Sequence, residues 1–122
     1  MVTQVTSFGR SGLYDWLIQR VSAVVLAAYT FFLVGFILLT PEVTYAVWTD
    51  LYSHFWMRLF SLLALLSAAV HAWIGLWCVF TDYLTPMTLG KSATVIRLSI
   101  QTVFGLVTIA FTLWGIEILW GL

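Results

Sequence analysis

A chain of 122 residues with 62% hydrophobic side chains, 8% charged ones and a mean hydropathy of +1.04 stands far from the roughly one-quarter charged usage of soluble domains, so lipid is its principal solvent. Five Lys and Arg balance five Asp and Glu, which leaves neither a basic surplus for nucleic acid nor an acidic solvating tail. The single cysteine, Cys78, excludes an intramolecular disulfide and any multi-cysteine zinc or iron–sulfur centre, so redox chemistry would need another kind of ligand.

In chain order, residues 1–16 are largely polar, with Gly9, Arg10, Ser11 and Gly12 ahead of the first apolar stretch. That stretch is too long for the apolar region of a secretory signal, and no small-residue cleavage pattern follows it, so the segment reads as part of the working chain. A membrane helix needs about 20 mostly apolar residues to cross a hydrocarbon core of about 30 Å. Three segments satisfy this, at about 17–39, 56–80 and 94–119. The first connection, 40–54, carries Pro41, Glu42 and Asp50, and the second, 81–92, carries Asp82, Pro86, Gly90 and Lys91, where Pro and Gly mark a turn. The expectation is an all-α membrane protein of three transmembrane helices forming one domain over 1–122. Three helices make a thin bundle with little interior, so a partner is expected.

Positive charge near span ends favours the cytoplasmic side. Arg10, Arg20, Lys91 and Arg97 fall on one face of the membrane and Arg58 alone on the other, which predicts a cytoplasmic N-terminus and a periplasmic C-terminus. Trp16, Trp48, Trp56, Trp114, Trp120 and Tyr83 lie near span ends, as an interfacial aromatic belt requires.

His71 lies deep in the second span, about nine residues or roughly 13 Å from its cytoplasmic end at 1.5 Å per residue. An ionisable group at that depth is costly, and such residues face a bundle interior and mark function. A neutral histidine bonded to a neighbouring helix is the structural alternative. Ala64, Ser67, His71, Gly75, Cys78 and Asp82 recur at steps of three or four and form one stripe of small or polar side chains, with Leu65, Leu66, Ile74, Trp77 and Phe80 largely off it. A histidine rising from such a groove suits axial ligation of a haem iron through a neutral imidazole nitrogen. Zinc is disfavoured, because no second His, Cys or carboxylate lies within a turn to complete a site. A six-coordinate haem would then take its other ligand from a different chain.

At the cytoplasmic end of the same span stand Asp82 and Tyr83, followed by Pro86. A phenol can donate a hydrogen bond to a quinone carbonyl while its ring stays in the interface, and a neighbouring carboxylate can orient a donor or carry protons. As bare residues, the pair equally fits an interfacial anchor at a helix end. Arg20, just inside the first span with Asp15 five residues earlier, either snorkels to headgroups or pairs with haem propionates, whose carboxylates match its fork of donors. Arg58, Glu117 and His54 read as interfacial or exposed on the opposite side. Thr102, Gly105, Thr108, Thr112 and Gly115 give the third span a small-residue packing face.

The run from His71 through Ala-Trp-Ile-Gly-Leu-Trp-Cys-Val-Phe-Thr to Asp82 and Tyr83 resembles the succinate dehydrogenase hydrophobic anchor subunit, the smaller D-type partner of the cytochrome b subunit. The run from Gly9 through Asp15 to Arg20 and the segment from Thr44 to Trp48 are similar too, so the resemblance spans nearly the whole chain. It implies His71 as one axial ligand of a haem b, with the other histidine on the cytochrome b partner. It further implies Arg20 near the haem propionates, and Tyr83 on a ubiquinone carbonyl with Asp82 close by. It implies a four-subunit complex with an iron–sulfur subunit and a flavoprotein subunit, seated in a bacterial inner (cytoplasmic) membrane and surrounded by lipid. The sequence departs from the pattern at Tyr14, where members carry histidine before the aspartate, and in a longer second connection through Met87 to Ser92. The residues alone leave other readings open: a fumarate reductase anchor using menaquinone, a small transporter or assembly subunit with a proton-relaying histidine, and a scaffold without cofactor.

Overall fold

Both prolines of the chain, Pro41 and Pro86, fall outside the three apolar runs, so nothing within those runs interrupts a helix. The computed structural model describes residues 12–121. In order they form α1 (Gly12–Leu39), α2 (Tyr45–Ser53), α3 (Phe55–Tyr83), α4 (Pro86–Leu89), a single 3₁₀ turn (Gly90–Ser92) and α5 (Ala93–Gly121). The long helices α1, α3 and α5 have 28, 29 and 29 residues, about 42–44 Å each, which exceeds the hydrocarbon core and carries their ends into the headgroup layers or tilts them. All three are long and apolar enough to cross a membrane. The fold is therefore the three-helix membrane protein that the hydropathy predicts.

The connections hold more structure than the sequence reading gave them. In the first, Thr44 accepts the Val47 N–H at 3.2 Å and caps α2, a helix of nine residues absent from the reading of 40–54 as a plain loop. α2 ends where His54, exposed as expected, takes over as the cap of α3, its Nδ1 in a 2.8 Å hydrogen bond with the Asp50 carbonyl. In the second, Thr85 and Thr88 form a capping box ahead of α4, with Pro86 in its first turn. Gly90 then turns the chain at φ +64, a left-handed value open to a residue without Cβ.

α3 is the middle helix. It packs along α1 and α5, and in its most apolar stretch 22% of residues are buried against 6% in each outer helix. Its buried positions are Met57, Ser61, Ala64, Ile74 and Phe80. The small-residue stripe is therefore only part of its packing surface: Ile74 and Phe80, expected off the stripe, are its most buried side chains, and Cys78 is exposed. The cause is that α3 has neighbours on two sides, whereas a single stripe serves one. On α5, Gly105 lets the Trp73 ring lie 3.4 Å from where a Cβ would stand, and a Cβ on Gly115 would meet Leu65 at 2.7 Å. The expected packing face of α5 is thus the face that packs, except that Thr102 is exposed and Gln101 is buried in its place.

At the α2 end, Tyr52, Met57 and Leu119 form a small core with Tyr29, Trp48 and Phe60 around it. The Tyr29 hydroxyl joins Tyr52 at 2.8 Å and Ser61 at 2.7 Å, tying α1, α2 and α3 beside a cavity of about 460 Å³. Burial pushes the Tyr52 phenol above its ordinary range, and the bond to Tyr29 adds to the shift. Trp48, expected in the aromatic belt, instead packs on Tyr52 and Phe36, while Trp16, Trp56, Trp114, Trp120 and Tyr83 are exposed near helix ends. Arg58 donates from Nε to the Tyr52 carbonyl at 2.9 Å. The up-down course of the chain brings Arg20, Lys91 and Arg97 to the α4 end and Arg58 to the α2 end, while Arg10 lies outside the described residues.

Replacing Tyr29 with Phe strips both bonds from the buried Tyr52 and Ser61 hydroxyls, at a cost of about 1–3 kcal/mol. Thermal unfolding of the purified membrane protein should show a lower Tm for Tyr29→Phe. The exposed substitution Phe31→Leu should leave it unchanged.

Candidate functional site

Near the α4 end, α1 and α3 diverge around a groove of about 440 Å³. Its walls include Asp15, Trp16, Gln19 and Arg20 of α1 and His71, Ile74 and Cys78 of α3. The spacing explains the set. Residues 12, 15–16, 19–20 and 23 follow one face of α1, and 71, 74 and 78 follow one face of α3, so the two helices turn these faces toward a common space. Gly12 and Ala23 contribute little side chain, which keeps the space open. Nearby, Gly75 lets the Gln19 amide come within 3.9 Å of where its Cβ would stand.

His71 is half-buried within the membrane-spanning part of α3. Its Nδ1 makes a 3.0 Å hydrogen bond with Oγ of Ser22, a fully buried residue of α1. That bond is the contact the structural alternative foresaw, yet it engages only one ring nitrogen. Nε2 has no protein hydrogen-bond partner among the described residues, and His71 lines the groove. Arg20 lines the same groove, exposed, with its guanidinium 5.5 Å from the centroid of the Trp16 ring. Gln19 adds a buried Oε1 with no hydrogen-bond partner among the described residues. The site therefore offers an imidazole nitrogen without a protein partner among the described residues, a cation, and unused polar capacity on one open apolar wall. Among the described residues no three His, Cys, Asp or Glu side chains gather as a metal cluster.

Asp82 and Tyr83 lie apart from the groove. Asp82 continues the stripe one turn beyond Cys78, about 16 Å along α3 from His71, and Asp82 and Tyr83 are both exposed, Tyr83 by 68%. The Tyr83 carbonyl accepts the Thr88 hydroxyl at 2.7 Å, which fastens this end of α3 to α4. At the same end, Arg97 of α5 holds its guanidinium 5.5 Å from the centroid of Trp77. The structure thus brings His71 and Arg20 together and leaves Asp82 and Tyr83 on an open rim.

Sequence reasoning missed Gln19, which lines the groove, and Ser22, which bonds to His71 beside it. Each is a polar residue inside an apolar run, which is the signal that singled out His71. A helical serine commonly bonds back to its own helix, however, and Ser22 does so as well, at 3.0 Å to the Gln19 carbonyl, so its second contact is visible only in three dimensions.

The comparisons agree with this architecture. The family model described as the succinate dehydrogenase/fumarate reductase transmembrane subunit matches residues 3–114. The chain is also 36% identical over 111 residues to the succinate dehydrogenase hydrophobic membrane anchor subunit of Coxiella burnetii (strain RSA 493 / Nine Mile phase I), covering 91% of this chain and 90% of that protein. The chain therefore belongs to the succinate dehydrogenase/fumarate reductase transmembrane subunits, membrane-anchoring parts of an enzyme complex that are not catalytic by themselves.

Proposed function

We propose that this chain anchors a bacterial succinate:ubiquinone oxidoreductase in the inner membrane, sharing a haem b with a cytochrome b partner and forming part of the ubiquinone-reduction site. The observation that carries the reading is the groove between α1 and α3, where an imidazole with one nitrogen free of protein bonds and an arginine line a common open wall. The residues fit half a haem site. His71 would hold the iron through Nε2, and the Arg20 guanidinium would meet a propionate carboxylate by paired hydrogen bonds. The unpartnered Oε1 of Gln19 supports the idea that something with polar groups completes this wall. With one histidine within its membrane spans, this chain would leave a second iron ligand to the cytochrome b subunit, and the groove's open side is where that subunit would close over it. Bound haem supplies a one-electron centre within the membrane.

The same orientation accounts for the rim. Three described cations at the α4 end against one at the α2 end favour a cytoplasmic α4 end, hence a cytoplasmic N-terminus and a periplasmic C-terminus. The iron–sulfur and flavoprotein subunits would then dock on the cytoplasmic surface, beside Asp82 and Tyr83. Ubiquinone takes up two electrons and two protons on reduction. The Tyr83 phenol donates a hydrogen bond to one quinone carbonyl, which orients the head group, and the exposed Asp82 carboxylate exchanges protons with water at the same edge.

Two substitutions test the reading separately in the purified complex. His71→Ala should lower haem content at least about tenfold, read as loss of the low-spin bis-histidine optical bands; unchanged haem would remove His71 from the iron. Tyr83→Phe should cut ubiquinone reduction roughly five- to thirtyfold, the weight of a hydrogen bond of about 1–2 kcal/mol, with succinate oxidation by an artificial acceptor intact. An equal fall in both activities would assign Tyr83 to assembly instead.

A further inference from the structure

We infer that Ser22 is a positioning residue for His71, fixing the tautomer and rotation of the ring so that Nε2 is the atom presented to the groove. The inference rests on the reading of His71 as an iron ligand and adds a residue that the reading does not contain. It follows from counting hydrogens at one oxygen. The Ser22 hydroxyl lies 3.0 Å from the Gln19 carbonyl oxygen and 3.0 Å from Nδ1 of His71. With both bonds made at once, the one hydroxyl hydrogen goes to Gln19, because a carbonyl oxygen only accepts, and toward His71 the serine oxygen then accepts. Nδ1 must then carry the hydrogen of the neutral ring, which leaves the lone pair on Nε2.

Ser22 is 4% exposed, packed between α1 and α3 where the bilayer supplies no water to replace a lost bond. With its hydrogen on the Gln19 carbonyl one turn back on α1, the serine oxygen turns a lone pair toward His71. A histidine with Nδ1 bonded in this way is held in one ring orientation, and donation to the serine oxygen makes the imidazole a stronger base. A more basic ligand favours ferric over ferrous iron, so Ser22 would lower the potential of a haem held by His71 as well as orienting the ring.

Ser22→Thr and Ser22→Val test this in the intact purified complex. The two introduced side chains have nearly the same shape and differ in the hydroxyl, so packing effects are shared. Haem content and an optical redox titration of the bound haem are the readouts, with His71→Ala alongside. The threonine variant should keep the haem at the wild-type potential. The valine variant should weaken haem binding roughly ten- to hundredfold, or retain haem at a raised potential; a tenfold loss of ferric preference reads as about +59 mV. If threonine and valine behave alike, whether both keep the haem unchanged, both shift or both lose it, Ser22 acts through packing alone and the inference fails. Haem retained in His71→Ala would instead overturn the ligand assignment beneath it.

Discussion

An imidazole inside a bilayer has two nitrogens and no water to satisfy them, and that constraint organises this molecule. His71 resolves half of it within the chain, through the buried Ser22 hydroxyl that α1 carries against α3. The other nitrogen has no partner among the described residues, and on the proposed reading it takes a group from outside the chain. Two demands meet here: α1 must lie close to α3 at Ser22 and leave room on the neighbouring face, where Gly12 and Ala23 of α1 and Cys78 of α3 border the groove. Close packing and an open wall are obtained from the same pair of helices.

The rest of the fold keeps that pair in register. α3 runs between α1 and α5, and the two glycines of α5 facing Trp73 and Leu65 let the third helix approach its far side. At the opposite end the Tyr29, Tyr52 and Ser61 hydroxyls join three helices, and α2 covers them, so the bundle is fastened about two turns or more away from the groove. Polar contacts have particular weight in such a bundle, because burying leucine against leucine gains little when lipid is equally apolar. Many large side chains of the outer helices remain exposed, Phe31 by 76% and Val103 by 62%, as befits surfaces that meet acyl chains or partner helices. An anchor built this way is completed by its neighbours, and membership in a family of enzyme-complex membrane subunits agrees with that incompleteness.

Much of this was legible in the sequence, and the physical reasons differ from residue to residue. The three spans follow from hydropathy alone, because crossing a bilayer demands long uninterrupted apolar runs. Their helices overran the apolar cores, since α1 begins at Gly12 and α3 continues to Tyr83 through residues that belong to the headgroup layer. α2 was hidden because nine residues are too few to display a period, and its cap and its Trp48 and Tyr52 contacts have meaning only against α3. His71 stood out as an ionisable residue in a hydrocarbon environment, whereas Ser22 did not, because a serine can hide in a helix by bonding to its own backbone. Arg20 was found from its depth, and its company with His71 emerged from packing. Asp82 and Tyr83 remain a pair on an exposed rim, and their significance comes from the sequence pattern around them rather than from contacts inside this chain.

The central claim is that Nε2 of His71 is bonded to iron in a porphyrin held between this chain and a second one. A density map of the intact complex in lipid, at a resolution that orients the His71 ring, tests it directly. The expected result is a porphyrin along the α1–α3 groove, iron on Nε2, Nδ1 turned to Ser22 and a propionate beside Arg20. A groove packed with acyl chains or partner side chains, or an iron bound elsewhere, would contradict it and leave a three-pass anchor without a cofactor of its own.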